Sequence, residues 1–134
     1  MVYIAILIIL ILCWFSQSLL HEGAHLLFAY LFCGYTPVDI IPWPRKEKGR
    51  IIFAESEYIP TYPKSSKEWL IHIAPIIINI PYLLFCLFMA IVFSPYFIIP
   101  LICSIADLGI WIYGFFFGSE YSDGQKYRKY LNEK

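Results

Sequence analysis

The sequence predicts an all-α polytopic membrane protein: three transmembrane helices, with a short interfacial β-hairpin between the first and the second. Three observations predict it. The 134-residue chain is 60% hydrophobic and only 15% charged, against about 25% charged in ordinary soluble domains. Its apolar residues gather into three stretches, each near or above the ~20 residues that a bilayer-spanning helix needs. All ten Lys and Arg fall in two places, six between Arg45 and Lys67 and four between Lys126 and Lys134. A chain this short could not hide so much apolar side chain in water, because small domains have a high surface-to-volume ratio. A bilayer removes that difficulty by serving as the solvent. The length suits a single domain, 1–134. Net charge is zero, and no basic stripe points to nucleic acid.

The first helix is expected over about 2–33, interrupted only by polar residues at Ser16–Ser18 and by His21-Glu22-Gly23-Ala24-His25. It is overlong for a bilayer, so it must tilt or project at one end. Residues 1–15 lack a basic leading region, and no small-x-small cleavage site follows them, so they read as a permanent helix. The second helix is expected over about 67–93 and the third over 96–118, joined by a turn at Ser94-Pro95. The clustering of positive charge places the 34–66 loop and the 119–134 tail in the cytoplasm, with the N-terminus and the 94–95 turn outside.

Within the loop, Val38–Ile41 and Arg50–Ala54 are β-like runs separated by Pro42, Pro44 and Gly49. They predict a β-hairpin at the cytoplasmic interface, with Trp43, Tyr58 and Tyr62 at headgroup level. Cys13, Cys33, Cys86 and Cys103 sit singly in apolar segments without CxxC spacing. They read as small apolar side chains rather than a zinc knuckle or a disulfide framework.

The chemistry is concentrated at His21-Glu22-Gly23-Ala24-His25, an HExxH sequence. Residues four apart share a helix face, so both imidazoles can reach one tetrahedral Zn2+. Glu22 lies beside them and can take a proton from metal-bound water. A chance HExxH is expected in only about three or four sequences per thousand of this composition. Three ionisable side chains within five residues of an apolar helix are costly without a compensating partner, and a divalent cation supplies one. Catalytic zinc normally has three protein ligands. Asp123, which follows the third helix and is bracketed by Gly118 and Gly124, is expected to be the third. Asp107 is the competitor. On a continuous helix it would lie about 24 Å from Asp123, too deep for His21 and His25, and better read as an Asp bonded to a neighbouring helix or lining a polar path. His72 and Glu120 read as interfacial residues.

The run His21-Glu22-Gly23-Ala24-His25 with Ala29, Gly34, Val38, Ile40 and Pro42 resembles the first core helix and following loop of the site-2 protease family of intramembrane zinc metalloproteases. Ala74-Pro75-Ile76-Ile77-Ile78-Asn79 looks like that family's Gly-Pro-x-x-x-Asn element, with Ala for Gly. Ser122-Asp123-Gly124 occupies the place of its Leu-Asp-Gly, with Ser for Leu. The resemblance implies a minimal three-helix core, zinc held by His21, His25 and Asp123, Glu22 as general base, and a membrane-protein substrate helix as partner. Asn79 is expected either to donate to the substrate backbone or oxyanion or to bridge two helices. Gly114 and Gly118 form a GxxxG spacing suited to helix packing or a homodimer. The alternatives are a non-catalytic membrane protein of the same fold that binds transmembrane helices, and a metal transporter or metal sensor in the membrane. Asp107 as the one acid deep in the later spans gives transport little support.

Overall fold

The structure, a computed structural model, describes residues 2–47, 50–52 and 54–133. Helix α1 covers Val2–Cys33, α2 Trp69–Val92 and α3 Ile98–Phe117. Among the described residues, three helices are long and apolar enough to cross a membrane. Their large side chains face outward along most of their length: Ile4, Leu7, Leu12, Phe88, Ile91 and Phe116 are all exposed. Apolar surface on that scale is consistent with a multi-pass membrane protein. A single 3-10 turn at Pro95–Phe97 joins α2 to α3, with the Ser94 hydroxyl accepting from the Tyr96 amide at its start.

The core lies where the C-terminal half of α1 meets the N-terminal half of α2. Ala24, Phe28 and Ala74 form one buried cluster, and Ala29, Cys33, Tyr35 and Ile71 another. Alanines at 24, 29 and 74 let the two backbones approach closely, as small residues do in membrane bundles. Gly34, at φ 68°, turns the chain out of α1. The amides of Gly34 and Tyr35 then close onto the carbonyls of Tyr30 and Ala29, a left-handed cap that glycine accommodates without a Cβ penalty. Tyr35 drops into the core, stacks on Tyr58 and accepts from the Ser65 amide.

The loop after α1 forms two antiparallel ladders rather than one short hairpin. Strand β1 (Thr36–Ile41) pairs with β4 (Glu55–Ile59), with a register shift between Pro37 and Asp39, and β2 (Arg45–Glu47) pairs with β3 (Arg50–Ile52). Pro42 and Pro44 have no N–H to donate and break the first arm. Of the expected Arg50–Ala54 strand, Phe53 lies outside the described residues, as does Gly49. The aromatic residues of the loop are differently placed from one another. Trp43 stacks on Phe15 of α1 with ring centroids 4.9 Å apart, about 9 Å further along the helix than His21 at 1.5 Å per residue. Tyr58 packs against the core while Tyr62 is exposed. The ribbon therefore runs from the end of α1 back along it as far as Phe15.

The segment after α3 is not a plain tail. Gly118 ends α3 in an extended conformation, and Asp123–Asn132 forms a further helix, α4, which packs on α3 and α2. Ser122 caps it, its hydroxyl accepting from the Gln125 amide. Trp69 stacks on Tyr130, and Trp111 and Phe115 lie against Tyr127. Gly114 and Gly118 are used in this return: a Cβ on Gly118 would meet Ser122 and the Gly114 backbone at 2.4–2.7 Å. Gly124 is tighter still, since a Cβ there would lie 2.2 Å from the Phe115 amide nitrogen. Backbone cannot yield as a flexible side chain can. Gly124→Ala should therefore pry α4 from α3, at a cost of about 1–3 kcal/mol. Thermal unfolding in detergent would read this as a lowered midpoint, and an unchanged midpoint would mean α4 is not docked this closely.

Candidate metal centre

His21, Glu22 and His25 stand on α1 within just over one turn, and the two imidazole centroids are 5.1 Å apart. Each ring is fixed through its Nδ1. His25 Nδ1 donates to the Ile71 carbonyl at 2.7 Å. That carbonyl is free because its usual helical donor, four residues on, is Pro75. The Pro75 that interrupts α2 thus supplies the acceptor that orients His25. His21 Nδ1 is 2.9 Å from Asp107 Oδ1. A carbonyl and a carboxylate are both acceptors, so both rings donate from Nδ1 and turn Nε2, the atom that would ligate an ion, inward.

Both Nε2 atoms face Asp123. Its Oδ2 is 3.1 Å from His25 Nε2 and 3.9 Å from His21 Nε2, and the three ligand atoms lie within 4.8 Å of one another. A tetrahedral ion with bonds of 2.0–2.1 Å separates its ligand atoms by about 3.4 Å. The observed distances bracket that spacing, so the donor set fits zinc, although two imidazoles and a carboxylate are not specific to it. The other oxygen, Oδ1, faces His72 Nδ1 at 3.4 Å and Lys126 Nζ at 3.8 Å. Burial alone would raise the Asp123 carboxyl. The protonated imidazole of His25, with the rings of His21 and His72 close by, outweighs burial and holds it well below the usual carboxylate range. An ionised carboxylate is what a cation requires.

Asp107 corrects the reading from sequence. It is not too deep for His21 but hydrogen-bonded to it. The 24 Å separation assumed a helix running straight on to residue 123. The chain instead turns at Gly118 and sets Gly124 against Phe115, so Asp123 returns to the level of Gly114, about 10 Å above Asp107. His72, expected as an interfacial residue, stands beside Asp123, while Glu120 is exposed and apart. Asn79 is only 3% exposed and is placed as a helix bridge. Its Nδ2 donates to the Ser104 carbonyl (3.0 Å) and Asp107 Oδ2 (3.1 Å), and its Oδ1 accepts from Gln17 Nε2 and the Ser104 hydroxyl. That uses the capacity of the amide, so no donor is left for an oxyanion in this arrangement. Gln17 and Ser104 escaped notice in the sequence, though polar residues inside apolar spans were the signal.

Glu22 is 7% exposed and no other side chain among the described residues hydrogen-bonds its carboxylate. It lines two cavities, of about 320 and 370 Å3, which also share Ile52, Ala54, Tyr121 and Asp123. The first opens between α2 and β4 past His72 and Tyr58. Burial pushes the Tyr58 phenol up to about 12, so it remains a protonated donor. The second runs between α1 and α3 past Trp14, Gln17 and Trp111.

Pro75→Ala tests the orientation of His25 directly. The new amide should bond the Ile71 carbonyl, stabilising α2 while depriving His25 of its acceptor. We expect zinc affinity to fall roughly 10-fold, within the range for loss of an outer partner, as measured by chelator competition. Unchanged affinity would mean that another group orients the ring. Comparison of the chain with known proteins found no matching family model, no similar curated protein and no similar solved structure.

Proposed function

We propose that the chain is a zinc-dependent intramembrane endopeptidase, hydrolysing peptide bonds in or near substrate transmembrane segments. The observation that carries this reading is the convergence of His21 Nε2, His25 Nε2 and Asp123 Oδ2 beside the buried carboxylate of Glu22, on helices long and apolar enough to cross a membrane. A zinc ion held there would polarise a scissile carbonyl and bring the pKa of its water towards ~7. Glu22 is the general base, adjacent to one ligand and one turn from the other, placed to accept a proton from the attacking water and return it to the leaving amine. His21, His25 and Asp123 hold the ion.

A helical substrate hides its peptide bonds in i to i−4 hydrogen bonds and must unwind locally before it can be attacked. Ile52 of β3 and Ala54 line both cavities beside Glu22, and among the described residues β3 pairs on one side only, with β2. An unwound segment adding to that free edge would lie across Glu22 by β-augmentation. By the positive-inside rule the active site and the C-terminus face the cytoplasm, with the N-terminus outside.

The test uses detergent-purified protein, a zinc assay, and a quenched-fluorescent synthetic transmembrane segment with a Gly-rich centre. The expected result is about one zinc per chain and cleavage that stops on chelation and returns with zinc. Protein that holds no zinc after reconstitution overturns the proposal.

A further inference from the structure

A carboxylate within a membrane-spanning helix is expensive unless the bundle supplies partners, and Asp107 of α3 has partners from both other long helices. Its Oδ1 accepts from His21 Nδ1 of α1 at 2.9 Å. Its Oδ2 accepts from Asn79 Nδ2 of α2 at 3.1 Å and from Gln17 Nε2 of α1 at 3.3 Å. Asn79 and Gln17 are 3% and 5% exposed, and Gln17 also donates to Asn79 Oδ1 at 3.1 Å. Ser104, one turn before Asp107 on α3, holds Asn79 through both its carbonyl and its hydroxyl. Gln17, His21 and His25 recur every four residues, so one face of α1 presents both nitrogen ligands and a donor to the carboxylate that orients the first of them.

We propose that Asp107 is a positioning residue of the metal centre, a carboxylate locked by Asn79 and Gln17 that fixes the ring and tautomer of His21 so that Nε2 points at the ion. The inference rests on the metal site proposed above but not on proteolysis. It assigns Asn79 a place in the site through Asp107 rather than through the substrate. It also makes ligand geometry depend on how the helices pack, because the chain Ser104–Asn79–Asp107–His21 runs from α3 to α2, back to α3 and on to α1. Outer carboxylates of this kind set ligand orientation and basicity, and their loss typically lowers metal affinity 10- to 100-fold.

The experiment measures zinc affinity of the full chain in detergent by competition with a chromophoric chelator, together with the visible spectrum of the cobalt-substituted protein. Thermal unfolding in excess EDTA reports helix packing separately. Asp107→Asn keeps the shape but turns an amide NH2 towards the donors of Asn79 or of His21, and should weaken zinc binding 10- to 100-fold with an altered cobalt spectrum. Asn79→Ala should weaken it less, and should add nothing once Asp107 is Asn, since the two act in one chain. Should Asp107→Ala fail to fold, Asp107→Asn and Asn79→Ala carry the test. Wild-type affinity and spectrum in Asp107→Asn overturn the proposal. So does a loss of affinity matched by an equal loss of stability in EDTA, which would make Asp107 a helix bridge alone. A wild-type chain that binds zinc tightly yet cleaves nothing leaves this inference standing while the protease reading fails. A chain that binds none removes both.

Discussion

Glu22→Gln should lower peptide hydrolysis by about 10²- to 10⁴-fold, the usual worth of a general base, while the zinc content stays at the wild-type level. The separation follows from geometry. The three ligand atoms belong to His21, His25 and Asp123, and Glu22 contributes none of them. Its carboxylate faces the two cavities, and glutamine retains its size but has no basic oxygen to take a proton. Gln at 22 therefore changes the chemistry without emptying the site or disturbing α1. The measurement is cleavage of the synthetic transmembrane segment alongside bound zinc. Undiminished cleavage would remove Glu22 as base. If neither form cleaves while both capture the segment, the non-catalytic helix-binding alternative gains.

Asp123→Ala should strip the metal. With two imidazoles alone the site falls below the three protein ligands of catalytic zinc, so we expect affinity to drop more than about 100-fold, beyond what losing an outer partner does. The effect should be cleaner than for His25→Ala, because His25 is buried against α2 through the Ile71 carbonyl, whereas Asp123 is the first residue of α4 and its cap is Ser122. Bound zinc after purification decides the matter, with thermal unfolding in EDTA to verify folding. If Asp123→Ala retains stoichiometric zinc, the third ligand lies elsewhere, and His72, 3.4 Å from Asp123 Oδ1, is the next residue to change.

The parts of this arrangement that were legible in the sequence are those set by local spacing. Three apolar stretches gave helices whose ends differ from the expected bounds by two residues or fewer, because lipid selects for length and composition. His21 and His25 could be paired because i, i+4 neighbours meet on any helix. Asp107 was misplaced because its distance from Asp123 depends on where the chain turns back, and close packing of Gly124 on Phe115 decides that, not periodicity. Helix α4 was missed although Ser122 followed three residues later by Gln125 is a cap signature, obscured by the low hydropathy of a surface helix. Two ladders in place of one hairpin reflect proline positions whose effect on register shows only once the partner strand is known. The role of Pro75 was not readable at all, since it needs His25 to come within reach of a carbonyl 46 residues away.

The position of Asp123 on α4 also bears on the order of events during synthesis. Both histidines lie in the first spanning helix, and the carboxylate follows His25 by 98 positions (123 − 25), after every spanning helix has been made. At ribosomal rates of ~5–20 residues per second, the chain spends about 5–20 s entering the bilayer with an incomplete ligand set. On the proposed reading it would be inert towards nascent neighbours during that interval, and would gain activity only when the closing helix docks onto Trp69, Trp111 and Phe115.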